Sequence, residues 1–268
     1  MASLENGRVV AQRLLIPGHY VLTVEAPGIS RTGRPGQFVM IDVAATNRIP
    51  HPLYDPLWRR AFGLYHMYPE QGRFDILYRA GGKGSNLLAM AAPGDQLSIL
   101  GPLGNGFPLH EARPVVALVG GGTGVPPLVA LAGALAARGI QARAYIGGRT
   151  STQLFGLDDF AALGIPVTVS TDDGSAGVRG VVTDILRPDA ERGVTGSVYA
   201  CGPTPMLRAV QGLVRDYGLP CYLSVEAYMA CGRGLCLGCA VRLAGDGQPR
   251  YAHACTDGPV FRADEVVL

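Results

Sequence analysis

The sequence predicts a β + α/β protein, in which an antiparallel β-barrel precedes an α/β domain with a parallel sheet and a small cysteine-rich module. Three observations predict this order. Short apolar segments separated by turn residues fill the first hundred residues, strands alternate with helices after Pro114, and four of the six cysteines lie in the last forty residues. We expect domains at residues 1–110, 111–225 and 226–268.

The barrel is predicted from six runs rich in β-branched, aromatic or aliphatic residues, at 8–15, 20–25, 38–43, 62–68, 74–78 and 96–100. Turn pairs such as Pro17-Gly18, Pro27-Gly28 and Pro93-Gly94 separate these runs, and a short helix near residues 85–90 precedes the last one. Six short strands at this spacing favour an antiparallel barrel.

The second domain is predicted from an alternation of strands and helices. The wholly apolar run 115–119 is typical of a parallel strand that is buried on both faces. Further strands are expected at 143–146, 166–170, 197–201 and 221–225. One helix should follow the glycine run and end at residue 138, and others are expected near 157–163 and at 204–217. This alternation predicts a parallel sheet with helices on its faces.

Two loops at the ends of predicted strands are candidates for binding a dinucleotide. The first contains Gly120, Gly121, Gly122, Thr123 and Gly124, and the second contains Cys201, Gly202 and Pro203. Glycines after a strand allow a sharp turn that brings a helix N-terminus to a pyrophosphate, and both loops should border one crevice. A glycine run can also be a plain tight turn. Arg149, near the end of the second strand, leaves the choice between NAD and NADP open.

The cysteines near the C-terminal end have the spacing C-x4-C-x2-C…C, formed by Cys231, Cys236, Cys239 and Cys255. This is the plant-type pattern for a 2Fe–2S cluster, and the interspersed glycines allow backbone N–H groups to face the sulfurs. Structural zinc also accepts four thiolates, although its sites usually contain two C-x2-C pairs. Four unligated thiols are the remaining alternative.

Composition and charge exclude several partners. A net charge of +2 provides no basic stripe for a nucleic acid. No uninterrupted apolar stretch reaches the roughly 18 residues of a membrane span, and the first residues lack a secretory signal pattern. We therefore expect a cytoplasmic protein that binds neither nucleic acid nor membrane.

The chain resembles the ferredoxin–NADP reductase superfamily, and within it the electron-transfer subunits of type B, NAD-linked dihydroorotate dehydrogenase. Seven motifs carry this resemblance in order, at residues 35–38, 101–107, 120–128, 171–175, 201–206, 226–239 and 255–261. They span nearly the whole chain. The resemblance implies an FAD-binding barrel, an NAD-binding α/β domain and a 2Fe–2S module.

The resemblance also implies which residues contact the flavin. These are Arg60, Ala61, Phe62 and Gly63, then Leu77, Tyr78 and Arg79, and finally Gly84 and Ser85. Arginine suits a diphosphate because its guanidinium group donates several charge-assisted hydrogen bonds at once. Ala61 and Gly63 depart from the family, which carries proline and a hydroxyl residue there. The missing hydroxyl removes a hydrogen bond worth about 1 kcal/mol.

The function implied by the resemblance is electron transfer in pyrimidine biosynthesis. A flavin can connect a two-electron hydride donor with a one-electron cluster. Electrons would pass between NAD and the FMN of a separate catalytic dihydroorotate dehydrogenase subunit, in a heterotetramer. The chain has no segment for a (β/α)8 barrel of about 250 residues, so the substrate should be oxidised by that partner.

The sequence is also compatible with two alternative functions. One is the small subunit of an electron-bifurcating transhydrogenase or of a hydrogenase-linked NAD(P)H reductase, which shares this domain order. The other, from a different class, is a zinc-stabilised scaffold that binds a nucleotide without turnover.

Overall fold

The computed structural model describes residues 2–43, 55–109, 115–245 and 247–268. The expected boundary between residues 110 and 111 lies outside these residues, and so do residues 49–54 of the sequence 49–58, which contains three prolines. Within the described ranges, no helix is both long and apolar enough to cross a membrane.

The first part of the chain forms an antiparallel sheet of seven strands within the described residues. These are β1 (Ser3–Ile16), β2 (His19–Glu25), β3 (Phe38–Ile41), β4 (Arg60–Gly63), β5 (Met67–Tyr68), β6 (Arg73–Arg79) and β7 (Gln96–Leu103), in the order β4-β3-β7-β1-β2-β6-β5. Two short helices, α1 (Pro27–Thr32) and α2 (Lys83–Leu88), complete it. Leu22, Ile76 and Ile99 are fully buried in the core of this sheet.

Two local features of the barrel differ from the sequence prediction. The single strand expected at 62–68 is divided, because β4 pairs with β3, β5 pairs with β6, and residues 64–66 between them belong to neither strand. The expected turn at Pro27-Gly28 begins α1 instead. Glu5 accepts hydrogen bonds from the N–H groups of Gly28 and Ile29, both at 3.2 Å, and so satisfies the start of that helix from a distant strand.

The second sheet is parallel except at one edge. Its strands are β8 (Val116–Gly121), β9 (Ala142–Gly148), β10 (Val167–Thr171), β11 (Val178–Arg179), β12 (Ser197–Cys201), β13 (Cys221–Ser224) and β16 (Val260–Arg262), in the order β11-β10-β9-β8-β12-β13-β16. Strand β16 is antiparallel to β13. Every residue of β8 and β12 is buried, as their apolar runs predict.

Four helices cover the second sheet in the described part of the chain: α3 (Val125–Ala136), α4 (Leu157–Ala162), α5 (Val182–Glu191) and α6 (Thr204–Asp216). The sequence reasoning missed α5. It is amphipathic, with Ile185 and Leu186 buried, but Pro188 lies inside it and obscures the pattern. The predicted β + α/β class is confirmed.

The cysteine-rich segment contains a hairpin, β14 (Ala240–Leu243) and β15 (Arg250–His253), and then returns to the second sheet through β16. One hydrophobic core joins Cys239 and Cys255 to Leu223 of the second sheet and to Phe38 and Met40 of the barrel. This shared core places the cysteine loop beside both larger parts of the molecule.

Candidate redox site

A crevice of about 530 Å³ lies between the two sheets. From the barrel, Phe62 and Gly63 of β4 and Leu77 of β6 line it, and Pro127 of α3 lines the opposite wall. The walls are close, because a Cβ atom at Gly63 would lie 3.3 Å from Cγ of Pro127. A side chain at position 63 would therefore press on the ring of Pro127.

The two glycine-containing loops meet at one side of the crevice. Gly120 and Cys201 are register partners in the adjacent strands β8 and β12, so the loops leave the sheet together. A Cβ atom at Gly124 would lie 2.5 Å from the carbonyl carbon and oxygen of Cys201 and from the nitrogen of Gly202. Only glycine fits this approach. Thr123 and Cys201 line the crevice, whereas the other predicted residues of the two loops do not: Gly120, Gly121, Gly122, Gly124, Gly202 and Pro203.

Cys201 and Glu226 are two ionisable residues that line the crevice. Burial raises the pKa of Cys201 to about 12, so the group remains a neutral thiol. The side chain of Glu226 opens to solvent, but nearby protein atoms still desolvate its carboxyl group enough to raise its pKa. Sequence reasoning did not select Glu226 as a site residue. Its position just after β13, at the C-terminal edge of a parallel sheet, is the signal that could have found it.

The predicted phosphate-binding residues gather at the start of α2. A Cβ atom at Gly84 would lie 2.8 Å from Nε of Arg60, so the guanidinium group of Arg60 passes over this glycine. Ser85 accepts hydrogen bonds from the N–H groups of Gly81 and Gly82, both at 3.1 Å. Nε of Arg79 lies 3.7 Å from a Cβ atom built at Gly81 in the same turn, and Arg79 is exposed. Two arginines beside a tight backbone turn suit a diphosphate group.

Tyr78 is placed differently from its predicted neighbours Leu77 and Arg79. Its ring lies in the barrel core and stacks on Tyr20, and its hydroxyl donates a hydrogen bond to Oε1 of Gln12 at 3.1 Å. The side chain therefore supports the strand, and its ring packs edge-on against Phe62 of the crevice wall with 5.4 Å between centroids.

The cysteine loop is shaped around its sulfur atoms. The N–H groups of Arg233, Leu235 and Cys236 point at Sγ of Cys231 at 3.3 to 3.4 Å. The N–H of Gly234 points at Sγ of Cys255 at 3.2 Å. Backbone donors aimed at sulfurs stabilise thiolates and tune bound clusters. The loop therefore has the donor set that an iron–sulfur cluster requires.

The four cysteines form two pairs. Cys236 lies within hydrogen-bonding reach of Cys231, and Sγ of Cys239 lies 3.2 Å from Sγ of Cys255. Burial opposes ionisation of Cys231, but the backbone N–H groups outweigh it and lower its pKa to about 6. Burial and the hydrogen bond with Cys239 raise the pKa of Cys255 to about 11, so a bound cation would favour loss of the Cys255 proton.

The arrangement of these thiols bears on the choice of metal. In the described part of the chain, no three metal-ligating side chains converge as a single ion requires. Two pairs of thiols match two irons that each take two protein ligands. The residues present therefore fit a 2Fe–2S cluster.

Comparison with known proteins agrees with this chemistry. Residues 226–267 match the family model for the iron–sulfur cluster binding domain of dihydroorotate dehydrogenase B, and residues 118–212 match the oxidoreductase NAD-binding domain. The matched ranges contain all four cysteines and both glycine-containing loops. The expected iron–sulfur and NAD chemistry is thus confirmed at the level of domains, against the zinc scaffold.

Full-length relatives extend the match to the whole chain. The dihydroorotate dehydrogenase B (NAD+) electron transfer subunit of Bacillus caldolyticus is 45% identical over 271 residues, covering all of both chains. The corresponding subunit of Desulforamulus reducens is 34% identical, covering all of this chain and 99% of its own.

A solved structure has the same architecture. A chain of the NADH-dependent reduced ferredoxin–NADP oxidoreductase, from a study of flavin-based electron bifurcation, superimposes with a TM-score of 0.84 and 31% identity, covering 97% of this chain and 89% of that one. The fold, the NAD-binding and cysteine-containing domains and the full-length relatives agree. The chain is an oxidoreductase subunit and belongs to the family of dihydroorotate dehydrogenase B (NAD+) electron transfer subunits.

Proposed function

We propose that this chain transfers electrons between NAD and the FMN of a catalytic dihydroorotate dehydrogenase subunit in pyrimidine biosynthesis, with FAD and a 2Fe–2S cluster as its own redox groups. One observation carries the proposal. Phe38 of β3 lines the crevice, and Met40, two residues along the same strand, lies 2.6 Å from a Cβ atom built at Gly232 in the cysteine loop. A single short strand thus connects the two candidate redox sites.

The residues of the chain bind and orient the cofactors. Phe62, Gly63 and Leu77 provide a narrow apolar wall for a flavin ring, and Arg60 and Arg79 face its diphosphate. The loops at 120–124 and 201–203 hold the dinucleotide opposite, in the family-matched NAD-binding domain. When bound, the flavin accepts two electrons from a hydride and releases them singly. Distance and orientation, rather than an acid–base side chain, govern this step.

The functional units in this proposal are residues 1–110, which bind FAD, residues 111–225, which bind NAD, and residues 226–268, which hold the cluster.

The partner subunit binds, in this proposal, over the cysteine loop. Leu235 and Leu237 flank Cys236 and are 82% and 58% exposed, and Tyr228 is 99% exposed. Leu237 also has a φ of 58°, a conformation that disfavours a leucine. Exposed apolar side chains on a strained loop suit a permanent protein contact. Two copies of each subunit would form the heterotetramer. A loop of four thiols suits a reducing compartment, which supports a cytoplasmic location.

The electron-bifurcating alternative is less well supported. The structure that represents it is 31% identical to this chain, whereas the subunit from Bacillus caldolyticus is 45% identical over its whole length.

Co-expression with the catalytic subunit tests the proposal. We expect the two chains to co-purify, to absorb as a flavin and an iron–sulfur protein, and to form NADH from dihydroorotate and NAD+. A complex with all its cofactors that forms no NADH from dihydroorotate would contradict the proposal and favour the bifurcating alternative.

A further inference from the structure

His66 bridges the two halves of the molecule. It follows β4 in the barrel, and its Nδ1 lies 3.1 Å from Oδ2 of Asp75 on β6. Its Nε2 lies 3.1 Å from Oδ1 of Asp159 on α4, in the α/β part of the chain. Both ring nitrogens face carboxylate oxygens, which only accept hydrogen bonds, so both nitrogens must carry a proton. The geometry therefore requires an imidazolium cation between two carboxylates.

Two tyrosines support this bridge from the barrel side. The hydroxyl of Tyr65 donates a hydrogen bond to Oδ2 of Asp159, and its ring stacks on His66 with 3.7 Å between centroids. The hydroxyl of Tyr68 donates to Oδ2 of Asp75 at 3.1 Å. Asp159 thus receives hydrogen bonds from two consecutive barrel residues, and these contacts fix α4 against the barrel.

The bridge holds the same elements that form the walls of the crevice. Gly63 of β4 lines the crevice three residues before His66. On the other side, α4 packs against α3, whose first turn contributes Pro126 and Pro127 to the opposite wall. The separation of these walls sets the distance between a flavin and a nicotinamide.

We infer that His66, held by Asp75 and Asp159, is a positioning residue that fixes the barrel relative to the NAD-binding domain for hydride transfer. This inference rests on the proposed function, since it concerns the distance between the two cofactors that the function requires. It assigns a role to residues 65, 66, 75 and 159 that lie outside the crevice itself.

The charge on His66 makes the bridge dependent on pH. Burial alone would lower the pKa of His66, but the hydrogen bonds and charges of Asp159 and Asp75 outweigh it and raise the pKa to about 9. Tyr65 and Tyr68 remain neutral there, because burial raises their pKa values. The positive charge of Arg13 favours the ionised form of Asp159. Arg31 of α1 lines a surface groove together with His66 and Asp159. Because folding raises the pKa of His66 from 6.5 to about 9, the bridge is complete below pH 6.5 and is lost as the pH rises through about 9.

Asp159→Asn tests the bridge, because it removes one carboxylate charge and keeps the shape of the side chain. Asp158→Asn is the matched control, since Asp158 is the adjacent, exposed residue of α4. Tyr65→Phe, which removes only the hydroxyl, is a second and milder variant. Hydrogen exchange at residues 63–68 and 157–163 reports on the contact without any cofactor. Stopped-flow reduction of the FAD by saturating NADH, from pH 6.5 to 10, reports on its consequence.

For Asp159→Asn we expect faster exchange in both segments and about a 10-fold slower reduction, with unchanged NADH affinity. In the wild type the rate of FAD reduction should fall near pH 9, and in Asp159→Asn this fall should occur at a lower pH. The same exchange and pH profile in Asp159→Asn as in Asp158→Asn would overturn the inference. A wild type that contains FAD but is not reduced by NADH would contradict the proposed function instead, and hydrogen exchange would still decide the role of the bridge.

Discussion

At the scale of single residues, Gly124 is where the two nucleotide loops touch, and its replacement is the sharpest test of that contact. Gly124→Ala would place a Cβ atom 2.5 Å from backbone atoms of Cys201 and Gly202. Backbone cannot move aside cheaply, so we expect a loss of about 1–3 kcal/mol of unfolding free energy and weaker NADH binding. Thermal unfolding and the KM for NADH in dye reduction measure the two effects.

Gly133→Ala is the matched control for this prediction. Gly133 lies within α3, the helix that begins directly after Gly124, and a Cβ atom there would meet nothing within 4 Å. Alanine should stabilise the helix by about 0.5–1 kcal/mol without changing the KM. Equal behaviour of the two variants would contradict the assigned contact.

Arg60 is the residue on which FAD retention should depend most. Arg60→Lys keeps the positive charge and removes the forked guanidinium group that can face two phosphate oxygens. We expect FAD to bind about 10-fold more weakly, measured by flavin fluorescence during dilution. Arg8→Lys, at an exposed arginine paired with Glu25 on the barrel surface, should retain FAD fully. An Arg60→Lys protein with wild-type affinity would remove Arg60 from the proposed site.

At the scale of elements, local patterns predicted what depends on local sequence. The apolar strands β8 and β12 and the helix that follows Gly124 lie within a residue or two of their predicted positions. The start of α1 could not be predicted, because Glu5 caps it from another strand. Likewise, His66 between β4 and β5 contacts Asp159, which lies ninety-three positions away, and no local pattern indicates that contact. The cysteine site could be predicted because the spacing of the cysteines along the chain is enough to indicate a cluster.

The cysteine loop should be needed for the exit of electrons and not for their entry. Cys236→Ser is expected to leave NADH-dependent dye reduction by the flavin intact and to abolish electron transfer to the catalytic subunit. Cys221→Ala, at a buried thiol of β13 outside the pattern, should retain both activities. Loss of both activities to the same extent in Cys236→Ser would contradict the proposed electron order.

Leu237 should affect stability and partner binding in opposite directions. Leu237→Gly relieves a positive φ that costs a leucine about 1–2 kcal/mol and removes an exposed apolar side chain. We expect equal or higher thermal stability and weaker binding of the catalytic subunit, measured by calorimetry. Leu14→Ala, at a leucine of β1 that is also exposed, is the control and should bind the partner normally. Unchanged affinity in Leu237→Gly would exclude this loop from the interface.

At the scale of the whole molecule, the sequence predicts the parts better than their arrangement. Composition, strand spacing and the cysteine motif predict a barrel, an α/β domain and a redox module. The shared core that joins Met40, Leu223 and Cys255, and the bridge through His66, depend on contacts between distant segments and have no local signal. These contacts are what bring the crevice and the cysteine loop to opposite ends of one short strand.

The most direct test of the proposed electron route is the iron and acid-labile sulfide content of the anaerobically purified protein. We expect about two iron atoms and two sulfides per chain, with no stoichiometric zinc, and we expect Cys236→Ser to lose both. One zinc per chain, or a protein without iron and sulfide, would contradict it, because electrons that reach the flavin would then have no route to the partner.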